Sequence, residues 1–352
     1  MRKICFFIND FGPGGAQRVC ENLISYFINL YEIDVLLVKS QDDFFKDGVK
    51  VFSLNSKNIA SSFKPLINHL KNNSYDLVFS FGAALGILVG KVKKKYKMNF
   101  VNINRSINTL TNEFKNASLK RRLLVKSYIK LFYRKVDFII AQSQGMKEDL
   151  TNKFFIKENK ITVINNPVSN QFFFDANKIR DIDILYVGRL EKQKNLFELI
   201  DIMDCDELRF KKIIFVGQGN QEEELKNYAK SKNVNVKIEP FTKKIIDYYQ
   251  SSKIVALSSL FEGFPNVLIE AINCGTPVIA YDCPSGPNEI VTKNNGHLIP
   301  FLNKNEFRNK LISSFEKDWD YEKIAKEGRK YSYENIMKQY ENLFDSLLEG
   351  DE

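Results

Sequence analysis

Two series of short apolar runs, each alternating with helically spaced stretches, constrain this chain more than any other feature. Strands are expected at residues 4–8, 35–38, 49–54, 77–80, 100–103, 138–141 and 161–164, with helices at 16–30, 63–70, 83–94, 119–135 and 146–154. A polar stretch opening with Asn165-Asn166-Pro167 then interrupts the pattern. It resumes with strands at 182–187, 213–216, 236–238, 254–257 and 278–281 and helices at 196–203, 222–229 and 245–251. Strands that alternate with helices form a parallel sheet covered on both faces. The chain therefore predicts an α/β fold of two doubly wound, Rossmann-like domains. Their bounds are residues 1–168 and 181–330, joined by a connection at 169–180. An amphipathic helix within 331–352 is expected to pack back toward the first domain. Open sheets of this kind take ligands at the carboxyl ends of their strands, so a substrate is expected in a cleft between the domains.

The length of 352 residues leaves room for both domains. The apolar run after Met1-Arg2-Lys3 is too short for a signal-peptide core. The longest apolar stretch, residues 77–90, is broken by Ser80 and three glycines and falls short of the ~20 residues of a membrane span. The expectation is a cytoplasmic protein. Cys5, Cys20, Cys205, Cys274 and Cys283 are odd in number and form no C-x-x-C, which reads as reduced thiols and not as a disulfide framework or zinc site. The two histidines, His69 and His297, are too scattered for a metal cluster.

Residues 258–275 carry the densest chemistry. A buried strand leads into the loop Glu262-Gly263-Phe264, and Pro265 stands where a helix begins. Val267, Leu268, Ile269, Ala271 and Ile272 make that helix apolar on nearly every side, and Gly275 with Pro277 stops it. Glu270 sits inside this apolar helix, where a carboxylate is costly unless it is hydrogen-bonded. Glu262 waits at the helix mouth, toward which the positive end of the helix dipole also points, near Asn266 and Val267. Amides for phosphate and carboxylates for hydroxyls suit a nucleoside diphosphate sugar. The alternative is a strand–loop–helix unit in which a neighbouring backbone satisfies Glu270.

Three further loops follow strands. Gly188-Arg189-Leu190-Glu191-Lys192-Gln193-Lys194-Asn195 offers a guanidinium fork and a point charge, enough to neutralise a leaving diphosphate, or else a solvated lysine-rich loop. Asn195 with Glu198 has the spacing of a helix-capping pair. Gly12-Pro13-Gly14-Gly15 lacks the third glycine of the dinucleotide fingerprint but allows close backbone approach. Residues 282–289, Asp-Cys-Pro-Ser-Gly-Pro-Asn-Glu, read as a rigid turn from which Asn288 or Glu289 starts a short helix.

Taken in order, Gly14-Gly15-Ala16-Gln17-Arg18, Gly188-Arg189-Leu190 with Lys194, Glu262-Gly263-Phe264-Pro265-Asn266-Val267 with Glu270, and Pro284-Ser285-Gly286-Pro287-Asn288-Glu289 resemble the retaining glycosyltransferases of family 4, which have the GT-B fold. The resemblance covers essentially the whole chain, and it is greatest to bacterial enzymes that build lipid-linked glycans, capsules or O-antigens. It implies a UDP-sugar donor and no metal cofactor. Arg189 and Lys194 would hold the diphosphate, Glu262 the donor sugar and Glu270 the ribose. Backbone from Gly263 and Phe264 through Pro265, Asn266 and Val267 would serve phosphate and sugar, and Gly14 and Gly15 would let the first domain close. Arg189, Lys194 and Glu262 would be the groups nearest the reacting atoms, in a front-face displacement with no protein nucleophile. Where many relatives carry a histidine after the strand at 100–103, this chain has Asn104-Arg105-Ser106-Ile107-Asn108, and Gln17 stands where an acid is common. Arg105 is read as a ligand for an acceptor phosphate or as a partner of Glu113.

The partners divide between the halves. Residues 1–168 hold 27 Lys and Arg against 13 Asp and Glu, whereas residues 169–352 hold 25 against 30. Arg122, Lys126, Lys130 and Arg134 recur every four residues, with Leu123, Leu124, Tyr128, Ile129, Leu131 and Phe132 between them. This is the pattern of an interfacial helix on anionic lipid, so the first domain is expected to dock peripherally on the inner face of the cell membrane, near a lipid-linked glycan acceptor. Other readings remain: a soluble acceptor, sugar-nucleotide epimerisation, or a non-catalytic basic module for membrane or nucleic acid. No nucleic-acid-binding motif accompanies the charge, and nucleic acid is not expected as a partner.

Overall fold

The computed structural model describes residues 1–12, 14–39, 47–113 and 118–349, the side chains of 112, 113, 119, 121, 122 and 124 excepted. The first sheet consists of β1 (Lys3–Ile8), β2 (Glu32–Leu37), β3 (Val49–Ser53), β4 (Leu77–Phe81), β5 (Val101–Arg105), β6 (Phe138–Ala141) and β7 (Ile161–Val163). All are parallel, in the order β3-β2-β1-β4-β5-β6-β7. The second sheet holds β8 (Ile182–Val187), β9 (Lys212–Val216), β10 (Asn235–Glu239), β11 (Ser252–Leu257), β12 (Val278–Tyr281) and β13 (Gly296–Ile299). These too are parallel, in the order β10-β9-β8-β11-β12-β13. Both are doubly wound sheets, as the alternation predicts. Central strands such as β4 are buried along their whole length, because helices cover both faces. The edge strand β10 has no buried residue.

Two compact units follow. One comprises Met1–Asn166 together with Ile336–Glu352, and the other Pro167–Asn335. The last helix, Tyr333–Glu349, buries Ile336, Met337, Tyr340, Leu343, Phe344 and Leu348 along one stripe. In the first unit Phe344 stacks on Phe27 at 4.8 Å, and Tyr26 donates a hydrogen bond to Glu341 at 2.7 Å.

Several elements differ from the sequence expectation. The helix expected over 119–135 ends at Phe132, and Tyr133–Lys135 forms a 3-10 turn. Tyr133 is pulled wholly into the core, where its hydroxyl bonds Asn104, and this tightens the chain into β6. The helix expected over 146–154 is an α-turn, Gln144–Glu148, continued by a π-turn, Asp149–Lys153. β5 runs through Arg105, two residues beyond the expected end, which turns Arg105 inward.

Candidate active site

In each sheet the strand order reverses between the first strand and the fourth, and loops leaving such a point on opposite sides create a crevice. In the second unit this point lies between β8 and β11. The loops after these two strands are the Arg189–Lys194 turn and the Ser258–Glu262 segment. Backbone and side chain knit them together. Leu260 N–H donates to the Gln193 carbonyl at 2.8 Å, Gln193 Nε2 to the Phe261 carbonyl at 2.8 Å, and Ser258 Oγ to the Lys194 carbonyl at 2.8 Å. Lys194 Nζ thereby sits 2.6 Å from Glu262 Oε1, with the two side chains only 15% and 9% exposed. Truncating either partner would strand the other charge in a dry setting.

The Lys194 turn has a second brace. Asn195 adopts a left-handed φ of 52°, and its side chain makes no cap to the helix Leu196–Met203. The expected capping pair is therefore absent. Asn195 Nδ2 instead donates to Glu198, which also accepts from the Tyr281 hydroxyl at the end of β12. Burial, and then the Glu198 charge, push the Tyr281 hydroxyl far up, so it stays a donor. Arg189 does not join this cluster: its side chain is 67% exposed and pairs with Glu191 at 3.2 Å.

The helix Asn266–Asn273 starts one residue later than expected. Pro265, in extended conformation with φ −74° and ψ 101°, is the residue before its first turn, and the chain enters through the loop Glu262-Gly263-Phe264. That loop is held from the side by residues 284–286. Glu262 N–H donates to the Pro284 carbonyl at 3.2 Å and Ser285 Oγ to the Gly263 carbonyl at 2.9 Å. Gly286 has φ +100°, and a Cβ there would lie 2.6 Å from the Pro265 ring. Only glycine fits both the conformation and the space. The sequence singles out 282–289 as a rigid turn, and the structure shows what the turn braces. Phe264 is buried, its ring edge against Tyr331 at 5.6 Å. Val267 and Asn266 are half-buried at the helix mouth. At the far end Gly275 takes φ +73° and stops the helix.

Glu270 is 8% exposed, and its Oε2 accepts from the Tyr249 hydroxyl at 2.8 Å. Tyr249 escapes sequence reasoning: it reads as one more core aromatic on the helix Ile245–Ser251, 21 residues from its partner. Cys283 is buried beside Glu262, and burial first, then that charge, push its thiol far up, which removes it as a nucleophile. Among the described residues no three His, Cys, Asp or Glu side chains converge as a metal site.

The remaining sequence-derived candidates lie in the first unit. Gly14 and Gly15 form the entry to the helix Gly15–Phe27, and Gln17 donates to Asp10 at 3.2 Å. Arg105 requires correction. It is 1% exposed, its Nε donates to the Tyr340 hydroxyl at 2.9 Å, and its Nη2 donates to Asn166. A guanidinium so enclosed meets no acceptor phosphate; it ties the last helix to the first sheet. The alternative partner, the Glu113 side chain, lies outside the described residues.

Lys126 and Lys130 are exposed on the helix Leu119–Phe132, and the Arg122 side chain lies outside the described residues. Arg134 falls beyond the helix end, so the four-residue spacing does not continue to it. Leu123, Tyr128 and Leu131 on the same helix are exposed at 59%, 44% and 63%, while Ile129 is buried. The exposed apolar row thus adjoins Lys126 and Lys130. Near the helix end a concavity of about 380 Å³ is lined by Lys93, Lys94, Lys97, Arg134 and Lys135, with Asp137 the acid among them. No helix among the described residues is long and apolar enough to cross a membrane.

Comparison with known proteins finds matches along both units. Residues 169–331 match the family described as glycosyl transferases group 1, and residues 13–172 match glycosyltransferase family 4. The amylovoran biosynthesis glycosyltransferase AmsD of Erwinia amylovora is 28% identical over 362 residues, covering 97% of this chain and 99% of that protein. In Campylobacter jejuni, an N-acetylgalactosamine-N,N'-diacetylbacillosaminyl-diphospho-undecaprenol 4-alpha-N-acetylgalactosaminyltransferase is 27% identical, covering 99% of this chain and 97% of that protein. Among solved structures, the apo lipopolysaccharide outer core galactosyltransferase WaaB matches with a TM-score of 0.78 at 23% identity, over 98% of this chain and 99% of its own. Anabaena HepE in complex with UDP and glucose matches at 0.76 and 19% identity, over 98% and 100%.

Proposed function

The chain belongs to glycosyltransferase family 4, with the GT-B fold, and from that premise we propose that it transfers a hexose or N-acetylhexosamine from a UDP-sugar to a lipid-linked glycan acceptor, with retention and without a metal. The observation that carries the donor assignment is the largely buried Lys194–Glu262 pair at the β8/β11 switch point, with Glu262 in the loop that enters the helix holding Glu270. An ammonium has three donors, so an arriving diphosphate can share Lys194 with Glu262. Glu262 then accepts from a sugar hydroxyl and Glu270 from the ribose. Arg189, its side chain exposed, swings onto the diphosphate from its partner Glu191.

In the reaction the bond from the anomeric carbon to the β-phosphate oxygen breaks, and the acceptor oxygen bonds that carbon on the same face. The departing phosphate takes the acceptor proton. Charge grows on the diphosphate in the transition state, where Lys194, Arg189 and the helix dipole stabilise it. This is the basis for metal independence.

The names of the relatives support the acceptor class. One works in amylovoran synthesis, and another acts on a diphospho-undecaprenol-linked sugar. Docking on the inner membrane face is assigned to Lys126, Lys130 and Arg134 with Arg122, helped by Leu123, Tyr128 and Leu131. The test of the function is a panel of UDP-sugars scored for thermal stabilisation and slow donor hydrolysis, with and without EDTA. One or two donors are expected to stabilise the protein and to be hydrolysed equally in EDTA. Failure of every UDP-sugar to bind would refute the donor class. Epimerised donor in the product would replace transfer with isomerisation, and activity lost in EDTA and restored by Mg²⁺ would refute the cationic clamp.

A further inference from the structure

The donor-site reading needs Glu270 to hold one orientation, and an apolar helix does not provide that by itself. The surrounding side chains do. Tyr249 is wholly buried, and its hydroxyl donates to Glu270 Oε2 at 2.8 Å. A phenol whose ring is packed on all sides has one position for its oxygen, and Phe172 meets that ring edge-on at 5.7 Å. The backbone beneath it is held as well. Thr276 Oγ1 donates to the Tyr249 carbonyl at 2.6 Å and accepts from Arg180 Nη1 at 2.8 Å. Arg180 Nη1 also donates to the Ser252 carbonyl at 2.6 Å, and Nη2 to the Cys274 carbonyl at 3.1 Å. Its guanidinium carbon lies 4.1 Å above the Tyr321 ring. Cys274 closes the C-terminal end of the helix that carries Glu270, where a cation complements both the last carbonyls and the dipole. One guanidinium therefore fixes the back of that helix and, through Thr276, the tyrosine that fixes its carboxylate.

We propose that Tyr249 is a positioning residue for Glu270, braced by Thr276 and Arg180, and that this chain presets the carboxylate for the ribose hydroxyls. The proposal rests on the assignment of Glu270 to ribose. A preset carboxylate gives up less freedom when ligand arrives, so the benefit appears as nucleotide affinity.

The test compares UDP with 2′,3′-dideoxy-UDP by calorimetry on the full-length protein and its variants. Tyr249→Phe preserves the ring and removes only the hydroxyl. It is expected to weaken UDP roughly tenfold, the scale of one hydrogen bond to a charged group, and to leave dideoxy-UDP nearly unchanged. In a Glu270→Ala background the same substitution should cost nothing further. Thr276→Val should shift UDP in the same direction by less, and Thr276→Ser should restore it, which separates positioning from a folding defect. Equal weakening of UDP and dideoxy-UDP would overturn the proposal in favour of general packing. Unchanged UDP affinity in Tyr249→Phe, with a loss in Glu270→Ala, would overturn the proposal while the ribose assignment stands. Unchanged UDP affinity in Glu270→Ala would remove the ribose assignment and the proposal with it.

Discussion

The two units share one strand order, yet their carboxyl edges differ in kind. In the second unit the loops after β8 and β11 are laced together, and two buried or half-buried charges, Lys194 and Glu262, meet where the order reverses. In the first unit Arg105, at the end of β5 beside β4, is sealed between Tyr340 and Asn166. Lys126 and Lys130 of the same unit stand on an outer helix with exposed Leu123 and Leu131. One topology thus serves as a polar, pre-arranged pocket in one unit and as a stiff platform with a basic outer face in the other. Topology fixes where loops gather, and residue choice decides whether a reaction takes place there.

The largest effect should come from breaking the laced edge. Replacing Arg189 and Lys194 together with alanine removes the charges that oppose the growing diphosphate charge. Loss of turnover on the order of 10³-fold is expected, exceeding the loss of donor binding. Steady-state kinetics beside donor calorimetry will decide it, and turnover that survives the pair removes their role.

The basic face of the first unit is next. Each cation close to an anionic surface contributes about 1 kcal/mol, fading beyond a Debye length. Changing Arg122, Lys126, Lys130 and Arg134 to glutamine should abolish most binding to anionic liposomes and lower turnover of a lipid-linked acceptor, while slow donor hydrolysis continues. Equal liposome binding by the wild type and the variant leaves these cations merely solvated, and wild-type binding that resists salt would assign the docking to apolar contact instead.

Arg105 sharpens the comparison from the opposite side. Arg105→Met keeps the length of the side chain and removes its donors, so the Tyr340 hydroxyl and Asn166 lose a buried partner. A stability loss of about 2–3 kcal/mol is expected in denaturant melts, with the UDP affinity of the second unit unchanged. A variant of wild-type stability that fails only in acceptor turnover would restore Arg105 as an acceptor ligand.

How far the sequence reveals this architecture depends on where its information lies. Parallel strands buried on both faces are nearly continuous apolar runs, so β1, β4, β6, β8 and β11 are plain to read. β13 is not: Gly296 and His297 occupy half of its four residues. The helices Lys304–Glu316 and Tyr321–Gly328 are mostly polar and show few buried positions. At the site, Glu262 and Glu270 stand out because charge in an apolar or glycine-rich setting is unusual, whereas Lys194 is one cation of a lysine-rich loop and is singled out by the loop's place after a strand. Tyr249, Thr276 and Arg180 do not, since each is ordinary in its own segment and becomes informative only beside partners 21 to 96 residues away. Arg105 misleads for the same reason: its partner Tyr340 lies 235 residues on.

The smallest effect separates the units by pH. Each unit has one histidine, and burial lowers the pKa of both. His69 has company, its Nε2 lying 2.9 Å from the Tyr75 hydroxyl, which in turn donates to Asp34. His297 Nε2 is buried without a partner among the described residues, and its ring meets Trp319 edge-on at 5.6 Å. Burial first, then Lys317 and Lys310, push His297 down to about 4 from an ordinary 6.5. A base whose folded pKa is depressed stays neutral in the native state while the unfolded chain takes up a proton. Its contribution is therefore fully present above pH ~6.5, drains as pH falls toward about 4, and is flat below. Partial exposure of the ring screens the charge and keeps the effect small. His297→Phe retains the ring against Trp319 and removes the proton site. Guanidinium melts at pH 7 and pH 4.5 should show the variant losing less stability than the wild type across that interval. Parallel losses in the two proteins would assign the acid sensitivity elsewhere, with the His69–Tyr75–Asp34 cluster of the first unit the next place to look.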